Sequence, residues 1–425
     1  MTRLLEIVTD ETREVHVRKP THRKTRLTWS GLAAGALTLT LSTTAFAPAS
    51  AAPPKPSQAS AAHPRTATTA APLTCNGVRM PAFQSSAPNA ELNGLFTRYA
   101  TDNSRVDDWT GADGTYSTTL PDGRLAFVFS DTFLGKVNAD GSRSPVIEEG
   151  GTTPFLNNTF VVKDGKKLTT VTGTAKGVMP PRDDKHWYWA GDAITAGGKV
   201  QATYQEYERF GPGIWDWRWS RNVLAQFSPK RLSKPTSVTP LPSSKGISWA
   251  SWLERSGHTI YVYGVEDKGN SKYMHLARVR GNSLKGKWEF YTGKGGGKGW
   301  SKREADSARV MDGVANEYSV SRQGPGYVLI TQDTTELFST KIVAYQSCSP
   351  RGPFTGKTTV YTTPETGLAG SYGNANVFTY NAHAHPELSS KGRIVVSYNV
   401  NSFKNTDHYK DSSIYRPRFV DVRFR

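Results

Sequence analysis

Asp113 and Asp131 stand at the two open ends of one stretch, Asp113-Gly-Thr-Tyr-Ser-Thr-Thr-Leu-Pro-Asp-Gly-Arg-Leu-Ala-Phe-Val-Phe-Ser-Asp131. Thr115, Tyr116, Thr118 and Thr119 favour strand, and so does the run Leu125 to Phe129. Pro121-Asp122-Gly123 supplies the turn, because Pro fixes φ and Gly accepts φ > 0. A turn centred on Asp122 pairs Leu120 with Arg124, Ser117 with Phe127 and Asp113 with Asp131. Residues opposed in this way lie roughly 4.5–5.5 Å apart at Cβ, and like charges there destabilise a sheet. A chain that keeps them has a use for them, a cation between them, or a bulge that separates them. Asp131 also follows Leu125, Phe127 and Phe129 on one strand face, where partial desolvation favours its protonated form. One carboxylate held protonated beside one held ionised is the acid/base pattern of glycoside hydrolysis. The competing explanation is local: an Asp at a strand end commonly forms a turn or an ion pair.

The elements that must position this pair are read from composition and order. The 425 residues carry eleven Trp and 39 Gly. Strand-like segments are short and separated by Gly, Pro, Asn or Asp, and no convincing long amphipathic helix is found, so an all-β protein is expected. Aligned by pattern, the segments form five units. They run from Trp109 to Gly173, from Trp187 to Phe227, from Ser248 to Tyr291, from Asn316 to Tyr361, and from Tyr380 to Arg423. Five units of about four strands describe a five-bladed β-propeller with four-stranded blades, in which radial repetition leaves only short protected edges. The first strand of each blade lines the central channel. That places Asp113, Asp192, Trp249, Glu317 and His385 or Glu387 near one axis.

Residues 1–26 are polar and charged, residues 27–47 are moderately apolar, and Ala49-Ser50-Ala51 is a small-x-small cleavage pattern. This predicts a signal peptide over 1–51, an exported product, and no stable membrane insertion after cleavage. The apolar stretch carries Ser and many Thr and is barely long enough to span a bilayer. Residues 52–73 read as an Ala/Pro/Thr-rich linker, leaving 74–425 as the propeller domain. Cys75 and Cys348 are the only two cysteines. Export favours a disulfide between them, with two unpaired thiols as the alternative. The formal net charge is +17. It is spread thinly, with no basic run or zinc-finger spacing, so nucleic acid is not expected as a partner. A polysaccharide partner and a monomeric chain are expected.

Several short motifs carry a resemblance: Thr110-Gly-Ala-Asp113 followed by Phe129-Ser-Asp131-Thr-Phe, then Glu317-Tyr-Ser-Val, and Ser349-Pro-Arg-Gly-Pro-Phe. In these the chain resembles the bacterial endo-D-arabinanase family and related exported propeller proteins. The resemblance implies a five-bladed propeller glycoside hydrolase with the two hairpin aspartates, Asp113 and Asp131, as catalytic groups. The Trp215-Asp-Trp-Arg-Trp219 cluster departs from the pattern.

The remaining candidates each have a structural alternative. Glu317 suits an acid, a base or a pKa modulator, or else a hydrogen bond to a neighbouring blade. Asp192 suits a sugar hydroxyl or a structural hydrogen bond. His383 and His385 share a strand face, and with Glu387 they make an incomplete metal-ligand set or a structural cluster. Trp187, Trp189, Trp215, Trp217 and Trp219 suit sugar-stacking platforms or a propeller core. Gly295-Gly296-Gly297 reads as a flexible loop rather than a phosphate cradle, since no helix follows it. The site expected is Asp113, Asp131 and Glu317 for catalysis, with Asp192, Trp189, Trp249, His385 and Glu387 binding substrate. No organic cofactor is needed. A Ca²⁺ ion in the channel is compatible with the fold, but no loop motif indicates one. The alternative function is a non-catalytic carbohydrate- or cell-wall-binding propeller, and a more distant one is an exported scaffold for protein partners.

Overall fold

β-Branched and aromatic runs broken by Gly, Pro and Asn become strands throughout, and the chain is all-β apart from short helical segments. The computed structural model describes residues 73–425 except 106–107, 214–215, 270 and 295–298. The expected signal segment, nearly all of the linker, Trp215 and Gly295-Gly296-Gly297 lie outside the described residues. Ala70–Arg425 forms one unit.

Among the described residues five antiparallel sheets of four or more strands follow one another along the chain, beside two smaller ones. The first runs, from inside outward, Tyr116–Thr119, Leu125–Phe129, Thr159–Asp164 and Lys167–Val171. The second runs His186–Ala196, Lys199–Arg209, Trp217–Ser228 and Arg231–Pro240. The third begins with Ser248–Ser256, Thr259–Asp267 and Lys272–Arg280. The fourth runs Tyr318–Gln323, Gly326–Gln332, Lys341–Ser347 and Thr355–Thr362. The fifth runs Val377–Ser390, Arg393–Ser402 and Pro417–Phe424, and ends on Phe83–Pro88 from the start of the chain. The first strand of each sheet packs on the first strand of the next, and that of the fifth packs back on Tyr116–Thr119. The inner strands therefore form a ring, with their N-terminal ends on one side and their C-terminal ends on the other.

Three features depart from the sequence reading. The third sheet has six strands rather than four, because the segment after Trp288–Tyr291 folds back to add Trp300–Ser301 and Met311–Asp312. The outer strand of the fifth sheet is Phe83–Pro88, whose polar sequence gave no strand signal. Helix Ala90–Thr101 was not expected. Its Asn93, Gly94 and Thr97 are poor helix formers, yet Leu92, Leu95, Phe96, Tyr99 and Ala100 are buried at helical spacing. The Asn89 side chain caps it by accepting from the Leu92 N–H at 2.9 Å.

The helix fastens the start of the described residues to the last strand, and the disulfide fastens it to the fourth sheet. Asn93 donates to the Phe419 C=O at 2.9 Å and accepts from the Phe419 N–H at 2.8 Å. Phe96 stacks on Phe419 with centroids 5.3 Å apart and meets Phe127 edge-on at 5.1 Å. Cys75 and Cys348 are joined by a disulfide. Phe96 is 1% exposed, so Phe96→Ala is expected to cost about 3–5 kcal/mol through lost transfer energy and a cavity. Equilibrium urea unfolding checks this, and a cost below 1 kcal/mol would show that the helix is not part of the closure.

Candidate active site

The hairpin has the register that a turn on Asp122 requires. Ser117 pairs with Phe127 and Thr119 with Leu125, and the Leu120 N–H donates to the Arg124 C=O at 2.7 Å. Beyond the strands the same register continues. The Asp113 N–H donates to the Asp131 C=O at 3.2 Å, the Ser130 N–H donates to the Asp113 C=O at 2.9 Å, and Ala112 pairs with Thr132. Gly114 and Thr115 interrupt the ladder with φ of 82° and 40°. A Cβ at Gly114 would meet the Ser130 nitrogen at 3.0 Å, so glycine is required there. Thr115 is held in its sparsely populated conformation by Asn399, which donates to its hydroxyl at 3.0 Å, and by His383, whose Nε2–H donates to its carbonyl at 3.2 Å. Both aspartates are half-buried.

Their surroundings differ. Asp113 accepts from the Tyr380 hydroxyl at 2.5 Å, and the Tyr415 phenol lies beside it. Burial raises its pKa and the two phenols oppose that rise. Asp131 has one weaker donor, Asn157 at 3.3 Å, and the Trp189 indole faces it. Burial, then the neighbouring charge of Asp113, raises Asp131 further. The pair therefore divides a proton unequally, with Asp131 the protonated member and Asp113 the ionised one.

Glu317, at the N-terminal end of its inner strand, is the third carboxyl. It accepts from Asn381 at 2.8 Å, and its Oε2 faces His383 Nδ1 at 3.4 Å. Burial, then the Asp113 charge, raises its pKa well above the usual carboxylate range. Burial lowers His383 to about 4. With its Nε2–H committed to Thr115, neutral His383 turns a lone pair toward Glu317, which suits a protonated Glu317.

A bulge makes this convergence. In Val377–Ser390 the register shifts between Tyr380 and His383, with Asn381 at φ 58°. It aims the Tyr380 hydroxyl at Asp113 and the Asn381 amide at Glu317. Sequence reasoning missed Tyr380 and Tyr415, which lie 267 residues and more from Asp113. The signal available was an Asn directly after an aromatic residue in a strand, since Asn tolerates positive φ.

Four expected binding residues are placed elsewhere. Trp249 is 0% exposed, donates to Glu304 at 2.8 Å, and packs on Trp288 and Phe290. A register shift between Ser248 and Trp252 turns it away from the axis. Asp192 follows a similar shift and is saturated by the Ala193 and Leu253 N–H groups, each at 2.7 Å. His385 is buried with both ring nitrogens bonded, to Ser117 at 2.7 Å and Ser397 at 2.8 Å. Glu387 is exposed and accepts from Ser117 at 2.9 Å. Asp192 and Glu387 line a cavity of about 560 Å³ formed by the C-terminal ends of the inner strands, including Thr119, Thr195, Glu254 and Arg322. That is the opposite mouth of the ring from Asp113. Trp189 alone among the expected binding residues joins the aspartate pair. Among the described residues no cluster of His, Cys, Asp and Glu has metal-holding geometry.

Residues 91–424 match the family model described as Domain of unknown function (DUF5005). No curated protein matches the chain. Among solved structures, a proposed hydrolase from Bacteroides ovatus matches with a TM-score of 0.61 at 22% identity, over 79% of this chain and 90% of that one, so the two share a fold. An α-L-arabinofuranosidase from Podospora anserina, solved with cellotriose, matches at 0.42 and 10% identity, over 76% of this chain and 93% of its own. A GH43_1 enzyme from Xanthomonas citri, solved with xylotriose, matches at 0.43 and 13%, over 79% and 92%.

The raised Asp131 has a consequence for stability. The folded protein keeps a proton that the unfolded chain releases in the ordinary carboxylate range, so stability falls as pH rises from that range toward the folded pKa of about 8. Asp131→Asn removes this loss. Its Tm is expected to exceed that of wild type at pH 8 and to match it near pH 3. An equal change at both pH values would show that Asp131 is not held protonated.

Proposed function

The chain belongs to the family described as Domain of unknown function (DUF5005), and we propose that it is an exported glycoside hydrolase on a five-bladed β-propeller. The observation that carries this reading is the Asp113–Asp131 pair. The two carboxyls come from opposite ends of one hairpin, in unequal environments, on the side of the ring where Glu317, Tyr380, Tyr415 and Trp189 converge. The propeller reading is supported by the ring of inner strands and by the fold shared with the Bacteroides ovatus protein. The substrate we propose is a furanoside-type, arabinan-like linkage in a cell-wall polysaccharide, following the endo-D-arabinanase resemblance of the hairpin motifs.

In this mechanism Asp131 delivers its proton to the leaving oxygen of the glycosidic bond. Asp113 stays ionised under the Tyr380 hydroxyl, with Tyr415 beside it, and stabilises the positive charge that develops at the anomeric carbon. It either attacks that carbon or activates the water that does. Glu317, carrying its proton against His383, adds no second negative charge beside Asp113 and so keeps the Asp113 charge available. Carboxyl groups perform the chemistry, and no organic cofactor is needed for it.

Release of reducing sugar from D-arabinan and arabinogalactan tests the proposal. Asp113→Asn and Asp131→Asn are each expected to lower kcat by about 10²–10⁴-fold with folding unchanged. Polysaccharide binding by all three proteins without hydrolysis would move the assignment to a carbohydrate-binding propeller. The Tyr380 donor makes a separate prediction. Tyr380→Phe removes a hydrogen bond that favours ionised Asp113, so the acidic limb of the pH–rate profile is expected to move to higher pH while the alkaline limb stays.

A further inference from the structure

The second sheet is longer than the neighbouring first sheet. Its first three strands have 11, 11 and 12 residues, against four to six in the first sheet. The Ser130 hydroxyl accepts from the Ala190 N–H at 2.9 Å and fixes the level of the two sheets. Trp189 therefore stands level with Asp131, and residues on either side of the Trp187–Tyr207 pair extend past it. This extension carries a slab of aromatic rings on one face. Trp189 meets Tyr207 at 4.4 Å and Trp217 at 5.2 Å, while Trp187 stacks parallel to Tyr207 at 6.0 Å. All four rings are half-buried. The opposite face is braced by Glu206, which accepts from Tyr188 at 2.6 Å and Arg221 at 2.9 Å.

We propose that this slab is an extended subsite that stacks the sugar rings of a glycan chain leading away from the Asp113–Asp131 pair. The inference rests on the hydrolase reading for its direction and on the ring geometry for its ligand. Tryptophan and tyrosine present flat, stiff faces at low entropic cost. One charged group edges the rings on their own face, Arg209, whose guanidinium lies 5.9 Å from the Trp187 ring, while the Arg218–Glu208 pair at 2.6 Å borders the other face beside Glu206. A lipid or an apolar protein face needs a continuous apolar patch. A polyhydroxylated chain, with apolar C–H faces and polar edges, fits rings edged in this way. The substrate is then a polymer rather than a terminal disaccharide, because the slab holds residues beyond the one cleaved.

The test compares wild type with Trp187→Ala, Trp217→Ala and Trp217→Phe. Two readouts are used: retardation in gels containing D-arabinan or arabinogalactan, and the ratio of kcat/KM on D-arabinan to that on a 4-nitrophenyl arabinofuranoside. Both alanine variants are expected to lose retardation and to lower the ratio about tenfold, mainly through KM for the polymer. Trp217→Phe, which keeps a ring, is expected to recover most of the loss and controls for misfolding. An unchanged ratio with unchanged retardation overturns the subsite, and so does an equal loss on both substrates in variants with native near-UV circular dichroism. Wild type that is retarded yet hydrolyses neither substrate, with retardation lost in the alanine variants, defeats the hydrolase reading and leaves the stacking surface standing.

Discussion

A ring of sheets exists only if its last member closes on its first, and here closure depends on one antiparallel pairing between the two ends of the domain. Pro417–Phe424 would otherwise be an open edge. Phe83–Pro88 covers it, with Val420 opposite Pro88 and Val422 opposite Ser86. The helix that follows fastens the same strand from its face through Asn89, Asn93 and Phe96. Phe96 also touches Trp109, just before the Asp113–Asp131 hairpin, and Phe127 within it. The closure and the site therefore share one cluster of rings, and strain on the seam reaches Asp113 and Asp131 through side chains in contact.

The site itself sits against the local logic of folding. Three carboxyls with raised pKa values occupy one end of the ring, and their neutral forms and the Tyr380 donor offset part of the cost. Two residues with positive φ that are not glycine, Thr115 and Asn381, stand beside them. Such positions persist where the surroundings over-determine them. Asn399 and His383 do this for Thr115, and the bulged ladder with Arg393–Ser402 does it for Asn381.

What the sequence disclosed follows the range of the interactions concerned. The hairpin was legible to the residue because a short turn sets its register, and the sheet order of the first unit followed from it. Position around the axis was legible only where strands are regular. Trp249 was misplaced because the bulge at Ser248–Trp252 rotates it away from the axis, and period-2 counting has no means of sensing an extra residue. Tyr380 and Tyr415 were invisible for another reason. Their importance lies entirely in contact with a residue some 270 to 300 positions away. The helix was passed over in the search for long amphipathic segments, although its buried residues keep helical spacing over its 12 residues.

The disulfide has a topological meaning apart from its contribution to stability. It joins residues 273 positions apart, so four of the five inner strands and the whole Asp113–Asp131 hairpin lie on one covalent loop. A protease that cuts a single exposed turn within that loop, such as the one at Asp122, opens a circle but releases no fragment. The nicked chain remains one molecule under non-reducing conditions, with both halves of the hairpin still tethered in the ring. In a protease-rich setting the loop thus sets the difference between a cut and a loss.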